Sequence, residues 1–252
     1  MWVLRAYGIS DKGRVRPTNE DQFAVDEALR LCVIADGMGG HNAGEVASRL
    51  AVDAVVEIVT AGPGEWPFGV DPSLSDAGNL LRTAIHHANA RILETAGTSE
   101  QYAGMGTTIV ASVITGDRLS VAHAGDSRFY LFANGVLRQL TRDDSWVASV
   151  LAHDPNADPA LLQHHPMRNA LTNVVGARSR TDVHIGEETL NGGELLLLTT
   201  DGIHGVLDDS RLDQLLREGD TLAHTARAIL SAALARGSRD NCTAIVARYS
   251  KD

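Results

Sequence analysis

The sequence is poor in aromatic residues and contains no long hydrophobic segment. Phenylalanine, tyrosine and tryptophan make up 4% of the 252 residues, while 44% are hydrophobic and 21% are charged. This composition is that of a globular protein and excludes a disordered, collagen-like or coiled-coil chain. No apolar run approaches the roughly 18 residues that a membrane span requires, and residues 1–10 lack the basic-then-apolar order of a signal peptide. We therefore expect a cytoplasmic protein with no membrane partner.

Basic side chains and cysteines are also scarce. The 22 Lys and Arg residues are outnumbered by 32 Asp and Glu residues, which gives a formal charge of −10. That sign is wrong for binding a phosphate backbone, so we exclude nucleic acid as a partner. The only cysteines, Cys32 and Cys242, each lie in an apolar, strand-like run. This position indicates reduced core thiols rather than a disulfide.

The length of the chain allows one large domain or two small ones. No internal repeat or low-complexity segment divides it. The only linker-like stretch, residues 61–75, carries three of the seven prolines and is interpreted as a surface loop within one domain. A second irregular stretch covers about residues 153–168, with a short helical piece at 159–164. We predict a single domain over residues 1–252 that acts as a monomer.

Hydrophobic spacing predicts three amphipathic helices, because apolar residues recur every three or four positions on one face. The first covers residues 43–58 behind a capping box of Asn42 and Glu45. The second and third begin at the predicted caps Asp76 and Asp220. Strand-like runs cover residues 30–35, 107–114, 118–124, 128–133, 194–200 and 242–249.

The order of these elements indicates the fold class. The pair Asn134-Gly135 between two strands is the strongest hairpin signal in the chain, so most strands should pair antiparallel. Strands occur in groups, with helices at 42–97 and 209–235 between them, rather than in strict strand–helix alternation. This order favours an α+β layered sandwich over a doubly wound parallel sheet.

Aspartates stand at the ends of four predicted strands. Asp36 follows LCVIA, Asp126 follows VAHAG, Asp201 follows LLLLTT, and Asp240 lies just before the last strand. One Asp-Gly after a strand is usually a turn. Four clustered carboxylates, however, would repel one another and raise each other's pKa values unless a cation were bound. Their oxygens suit Mg²⁺ or Mn²⁺, whereas Zn²⁺ would require His or Cys at defined spacing, so the sequence predicts a divalent metal centre.

A pair of divalent ions suits the hydrolysis of phosphate esters, because it can activate a shared water and hold it in line with phosphorus. The charge that develops on the phosphoryl group also calls for an arginine. Arg16, in a segment with Glu20 and Asp21, offers a guanidinium that matches phosphate oxygens in pairs. Taken alone, this segment is better explained as an exposed, salt-bridged turn. Motifs for nucleotide cradles, serine nucleophiles and zinc proteases are absent.

Eight segments together resemble the bacterial PPM family of metal-dependent serine/threonine protein phosphatases (protein phosphatase 2C type). They follow the family's order and cover about residues 5–250: RPTNED (16–21), DGMGGH (36–41), MGTT (105–108), HAGDSR (123–128), LTRDDSWV (140–147), HPMRNALTNVVG (165–176), LLLLTTDGIHGVL (195–207) and RDNCTAIV (239–246). The resemblance implies a four-layer α/β/β/α sandwich of two central antiparallel sheets flanked by helices. It also implies a binuclear Mn²⁺ or Mg²⁺ centre at one end, with a variable flap at about residues 147–168.

The resemblance also assigns metal ligands at the matching positions. Asp36 should bridge the two ions, and the Gly37 carbonyl should bind one of them. Asp201 and Asp240 should bind the other ion. Bacterial members often hold a third, weaker ion, for which the ligands here would be Asp126 and Asp201.

Further roles follow from the same resemblance. Glu20 and Asp21 should act in the outer shell through metal-bound waters, and Arg16 should hold the phosphate. Animal members carry a His directly after the DG pair that acts as general acid, but this chain has Met38, which cannot donate a proton. A metal-bound water or His41 could take its place.

The chain departs from the family pattern elsewhere without losing an implied ligand. Asp143 and Asp144 stand where an acidic residue and His are common, and His204 stands where an acidic residue commonly follows. Arg239 precedes Asp240 where small residues are frequent. In MGTT, the two threonines are interpreted as structural, since they can satisfy backbone groups at a turn into a buried strand.

The implied substrate is a phosphorylated protein, and a cognate serine/threonine kinase would be its counterpart. Two other functions stay open: a non-catalytic module that keeps the fold, and a phosphatase of a small molecule or nucleotide. Intact Asp36, Asp201 and Asp240 favour an enzyme, because a pseudoenzyme is free to lose its ligands. We expect surface and flap residues to select the substrate.

Overall fold

The computed structural model describes residues 2–40, 43–64, 66–154, 156–158, 161–162 and 165–251. Their strands are β1 (Trp2–Asp11), β2 (Asp21–Asp26), β3 (Leu31–Met38), β4 (Gly106–Thr107), β5 (Ile109–Thr115), β6 (Arg118–Ala124), β7 (Arg128–Ala133), β8 (Val136–Gln139), β9 (His184–Thr189), β10 (Leu195–Thr199) and β11 (Cys242–Lys251). Their helices are α1 (Ala43–Ala61), α2 (Asp76–Ala96), α3 (Trp146–His153), α4 (Asp201–His204), α5 (Asp209–Glu218) and α6 (Leu222–Ala235), and a 3₁₀ turn covers Glu100–Tyr102. No helix within these ranges is both long and apolar enough to cross a membrane.

The strands form two antiparallel sheets. The first has the order β1-β11-β10-β7-β8. The second has the order β2-β3-β5-β6-β9, with β4 paired to β3 at one end. This arrangement confirms the predicted α+β class, and the parallel, doubly wound alternative is wrong.

Side-chain alternation along the strands builds four layers. In β3, Leu31 and Val33 belong to the core shared with α1 and α2, whereas Cys32 and Ile34 belong to the core between the sheets. This is the two-residue period of a strand that is buried on both faces. A third apolar cluster packs α5 and α6 on the outer face of the first sheet. The α/β/β/α order is therefore as predicted, and both cysteines are buried free thiols, as expected.

The predicted β7–β8 hairpin is present. Asn134 and Gly135 have φ angles of 52° and 75°, so both adopt the left-handed conformation. Ala133 pairs with Val136 across the turn. Two consecutive left-handed residues are what a type I′ hairpin requires, which explains the Asn-Gly pair at this point.

Two predicted helix caps are wrong by one residue. Ser75, not Asp76, caps α2, and Thr221, not Asp220, caps α6. In each case the hydroxyl oxygen accepts a hydrogen bond from the third helical amide. The predicted cap of α1, Asn42, lies outside the described residues.

Candidate active site

The predicted site residues collect at one end of the two sheets. In the second sheet, Asp21 at the start of β2 lies opposite Asp36 in β3. In the first sheet, β10 runs into Asp201, and Asp240 lies just before β11. Asp126 follows β6, in the turn that connects the two sheets. Strand pairing therefore brings together residues that are far apart in sequence.

Asp36 is held by the two threonines of the MGTT segment. The Asp36 amide donates to the Thr108 hydroxyl at 3.1 Å, and the Thr107 hydroxyl donates to the Asp36 carbonyl at 2.8 Å. Both threonines are buried. Thr108 also shares a 2.8 Å hydrogen bond with Ser127, the neighbour of Asp126. The structural role predicted for these threonines is confirmed, and it links two of the site's turns.

Gly37 allows α1 to approach β3 closely. A Cβ atom at this position would overlap the Gly44 carbonyl oxygen and lie 2.7 Å from the Glu20 carbonyl oxygen. The Gly37 amide donates to that Glu20 carbonyl at 3.1 Å, and the Ser48 hydroxyl donates to it at 2.6 Å. Glycine is needed here because the backbones are too close for a side chain. Glu20 and the first turns of α1 are thereby fixed beside Asp36.

Asp21 is buried with only one of its carboxylate oxygens satisfied. Oδ2 accepts hydrogen bonds from the hydroxyls of Thr200 at 2.9 Å and Thr243 at 2.6 Å. Oδ1 is buried and has no partner among the described residues. Burial raises the pKa of Asp21 to about 7; the two hydroxyl bonds oppose this shift, and the charges of Asp201 and Asp240 add to it. The site thus contains a carboxylate oxygen that lacks a positive or hydrogen-bonding partner.

The neighbouring carboxylates show the mutual repulsion that the sequence predicted. Burial, followed by the charges of Asp21 and Asp201, holds the pKa of Asp36 well above its usual range. Burial also raises the pKa of Asp126 to about 7, and that of Asp201 to about 6 with a contribution from Asp240. Oδ1 of Asp201 is a second buried oxygen without a partner in the described part of the chain. Divalent cations with their bound waters would satisfy both orphan oxygens and relieve the repulsion, so this all-oxygen donor set fits Mn²⁺ or Mg²⁺.

Asp240 is engaged by Arg16. Its Oδ2 accepts a 2.6 Å hydrogen bond from Arg16 Nη2, and its Oδ1 accepts one of 2.9 Å from the Asn241 amide. The guanidinium thus supplies the positive charge nearest to Asp240, and both side chains are partly exposed. Within the described ranges, no group of three His, Cys, Asp or Glu side chains is already arranged to hold a metal ion.

Asn241 is a site residue to which the sequence analysis assigned no role. It is buried, and its side-chain oxygen accepts from the Glu20 amide at 2.8 Å. Its amide nitrogen donates to the carbonyls of Lys12 and Thr18, each at 2.9 Å. One side chain therefore ties the loop that carries Arg16 and Glu20 to the start of β11. Asn241 lies in the RDNCTAIV segment, but only the position of the loop in the structure shows that it anchors this loop.

Replacing Asn241 by alanine is expected to destabilise the protein by about 2 kcal/mol, since buried backbone groups would lose their partners. The loop that bears Arg16 would also shift, so catalysis at the site should slow. Urea unfolding and steady-state kinetics would measure the two effects. Asn191→Ala, at an exposed position before β10, is the matched control and should change neither. Equal stability of the two variants would contradict the anchoring role of Asn241.

The raised pKa values predict how metal-free stability depends on pH. Asp21 titrates near 3.8 when unfolded but near 7 when folded, so the folded state binds more protons between these values. Its contribution to the free energy of unfolding is complete below about pH 4 and is lost as the pH rises through about 7.

With chelator, the cluster should therefore make the protein more stable at about pH 5.5 than at about pH 7.5. Mn²⁺ competes with protons for these carboxylates, so the rise in Tm that it causes should be larger at the higher pH. Asp21→Asn should reduce the pH dependence with chelator. A Tm increase from Mn²⁺ that is the same at both pH values would disagree with this prediction.

A cavity of about 1000 Å³ opens beside the carboxylates and includes Asp126, Asp201 and Asp240 in its wall. Arg128, also in its wall, binds Asp143 through two hydrogen bonds of 2.9 and 2.7 Å. This paired arrangement occupies the guanidinium. Arg128 lies in the HAGDSR segment and Asp143 in the LTRDDSWV segment, but their pairing depends on the approach of β7 to the loop after β8.

Two of the residues that depart from the family pattern, Asp144 and His204, have structural roles here. Asp144 accepts hydrogen bonds from the Gly125 amide, the Asn173 side chain and His184, at 3.0, 2.7 and 3.0 Å. It thus braces the turn that carries Asp126. His204 hydrogen-bonds Thr199 at 2.9 Å, and burial holds the pKa of its imidazole well below the usual range.

Two predicted features lie wholly or partly outside the residues that the structure describes. His41, the candidate proton donor, lies outside the described residues. The predicted flap at residues 147–168 includes most of α3, and its two ends are joined by the Ser145–Leu171 bridge and by the Trp146 amide, which donates to the Ala170 carbonyl at 2.8 Å. Several of its residues lie outside the described ranges, so the flap and the single-domain boundaries stay predictions.

Comparison with known proteins agrees with this geometry. The family model described as protein phosphatase 2C matches residues 14–237. Serine/threonine phosphatase stp of Listeria monocytogenes is 32% identical over 244 residues, covering 94% of this chain and 92% of that protein. Serine/threonine protein phosphatase PstP of Mycobacterium tuberculosis is 34% identical over 97% of this chain, which spans only 45% of PstP.

Solved structures show the same architecture. The Mycobacterium tuberculosis PstP structure superposes with a TM-score of 0.86 at 32% identity, covering 99% of this chain and 100% of that one. A structure of the PstP catalytic domain in complex with two manganese ions gives a TM-score of 0.85 at 32% identity, with both chains fully covered. The chain belongs to the protein phosphatase 2C family.

Proposed function

We propose that the protein is a metal-dependent phosphatase that removes phosphate from phosphoserine and phosphothreonine in proteins. The observation that carries this proposal is the cluster of Asp21, Asp36, Asp126 and Asp201, next to an arginine and an open cavity. Within it, Asp21 and Asp201 each have a buried oxygen without a partner among the described residues. Relatives that share its sequence and fold are named serine/threonine phosphatases. Substrates of this kind are made by serine/threonine kinases, so we place the enzyme opposite such a kinase.

The metal requirement is part of the same proposal. When bound, two Mn²⁺ or Mg²⁺ ions would activate a shared water for direct attack on phosphorus, without a covalent enzyme intermediate. Asp36 would contact both ions, with the Gly37 carbonyl on one and Asp201 and Asp240 on the other. A third ion would be held by Asp126 with Asp201. The support is the fit of an all-oxygen donor set and the two manganese ions in the related PstP structure.

The remaining residues bind, orient and exchange protons around that centre. Arg16 would leave Asp240 for the phosphate oxygens, where its two-pronged guanidinium can neutralise the charge that develops. Glu20 and Asp21 would hold waters in the outer shell, with Asp21 oriented by Thr200 and Thr243. His41 or a water is the proposed proton donor to the leaving alcohol, since Met38 cannot serve.

We further propose that the enzyme works as a cytoplasmic monomer. Its two cysteines are free and buried, which is typical of proteins from reducing compartments. Size-exclusion chromatography with light scattering would test the oligomeric state.

The function is tested by hydrolysis of a phosphothreonine peptide and an aryl phosphate with chelator, Mg²⁺ or Mn²⁺. Activity should require metal and be lost in Asp201→Ala, whereas Asp53→Ala, an exposed change on α1, should remain active. Metal binding without turnover of any substrate would indicate a non-catalytic module. A strong preference for a nucleotide or another small molecule over phosphopeptides would indicate a different phosphatase class.

A further inference from the structure

Besides Arg128, three arginines line the cavity beside the site carboxylates. Arg142 follows β8, Arg168 lies near the end of the predicted flap, and Arg239 precedes β11. They therefore come from three separate parts of the chain and meet around one opening. All three are exposed.

Within the part of the chain that the structure describes, the fold does not depend on polar contacts of these guanidinium groups. Among the described residues, none forms an ion pair or hydrogen bond with the side chains of Arg142, Arg168 or Arg239. The two other arginines of the site behave differently: Arg128 is paired with Asp143, and Arg16 is paired with Asp240. The three arginines are therefore available to a ligand.

The positive charge of these three arginines is opposite in sign to the charge of the whole chain. The formal charge is −10, so an acidic ligand would be repelled by the protein as a whole and attracted only where unpaired basic groups gather. Arginine binds carboxylate and phosphate groups through paired hydrogen bonds. Three such groups in the wall of the cavity beside the proposed metal centre are suited to binding anionic groups that flank the reacting phosphate.

We infer that the preferred substrates are phosphoproteins with additional anionic groups, either acidic side chains or a second phosphate, within a few residues of the target phosphoserine or phosphothreonine. This inference rests on the proposed function and narrows its substrate class. Arg142, Arg168 and Arg239 act as specificity-determining residues that bind these flanking groups.

The test compares phosphothreonine peptides of one length whose flanking residues are acidic, neutral or basic, together with a doubly phosphorylated peptide. The wild-type protein with saturating Mn²⁺ should show a kcat/KM for the acidic peptide about tenfold above the neutral one, with the basic peptide lowest. The difference should lie in KM and shrink as salt is added. The acidic and doubly phosphorylated peptides distinguish the two sources of negative charge.

Variants assign the preference to these side chains. One exposed ion pair is worth about 1.4- to 5-fold in binding, so each single Arg→Gln change should reduce the acidic-to-neutral ratio by that amount. The triple variant should bring the ratio close to one. Arg248→Gln, exposed on β11 six residues beyond Cys242, is the matched control and should keep the wild-type ratio.

Two different failures can be told apart. If the wild-type protein hydrolyses phosphopeptides with equal kcat/KM for acidic and neutral flanks, the inference is wrong while the proposed function stands. If it hydrolyses no phosphopeptide or aryl phosphate with Mn²⁺, the proposed function fails, and this inference with it. A wild-type acidic-to-neutral ratio in the correctly folded triple variant would also overturn the assignment to these arginines.

Discussion

Replacing Asp36 by asparagine is expected to lower phosphatase activity by about 10³-fold or more, since loss of one preorganised electrostatic group alone costs about 10²- to 10³-fold. Asparagine has nearly the same size as aspartate, so packing against Thr107 and Thr108 is kept. The metal-free variant should even be more stable than the parent at neutral pH, because folding of the parent must either bury the Asp36 charge in a repelling cluster or bind a proton, and asparagine requires neither. Loss of activity with a gain in stability would identify a functional carboxylate.

Activity with and without Mn²⁺, and Tm under the same conditions, would measure both effects. The rise in Tm that Mn²⁺ causes in the parent should be strongly reduced in Asp36→Asn. Asp26→Asn, at the other end of the β2–β3 hairpin, is the matched control and should retain activity and metal response. Turnover equal to that of the parent at saturating Mn²⁺ would show that Asp36 does not bridge the ions.

Replacing Arg16 by alanine is expected to lower kcat/KM by about 10- to 100-fold and, at the same time, to strengthen Mn²⁺ binding by about two- to fivefold. The two effects have opposite signs because Arg16 serves two partners. In the structure its guanidinium binds Asp240 at 2.6 Å, where it would compete with the proposed metal ion. In the proposed reaction it binds the phosphate, and alanine can do neither.

Isothermal titration with Mn²⁺ and steady-state kinetics would separate the two roles. Arg14→Ala, in the same loop, exposed and without a charged partner among the described residues, is the control. It should leave both quantities close to the parent values. Weaker Mn²⁺ binding in Arg16→Ala would mean that the arginine supports the metal site rather than competing with it.

The strands and helices with strong periodic patterns were predictable from sequence. β6 and β7 match their predicted ranges, and α1, α2 and α6 are the three predicted helices. β1, β2 and β9 were not predicted, because none of them is a run of buried apolar residues: β1 and β2 are mostly half-buried, and half of the residues of β9 are exposed. β1, β2 and β9 form because they pair with β11, β3 and β6, respectively. No local sequence pattern encodes the presence of these neighbouring strands.

The features of the site also divide into those that the sequence predicts and those that depend on the tertiary structure. The sequence by itself determined which carboxylates stand at strand ends, since an Asp after a buried apolar run is a local signal, and it determined the α+β class through the order of strands and helices. Only the tertiary structure decided that Asn241 anchors the Arg16 loop and that Arg16 pairs with Asp240. It also decided that Thr200 and Thr243 satisfy one oxygen of Asp21. Among the described residues, it left the other oxygen without a partner and placed three unpaired arginines in the wall of one cavity. These contacts join residues far apart in the chain, so they depend on strand pairing and loop position rather than on neighbouring sequence.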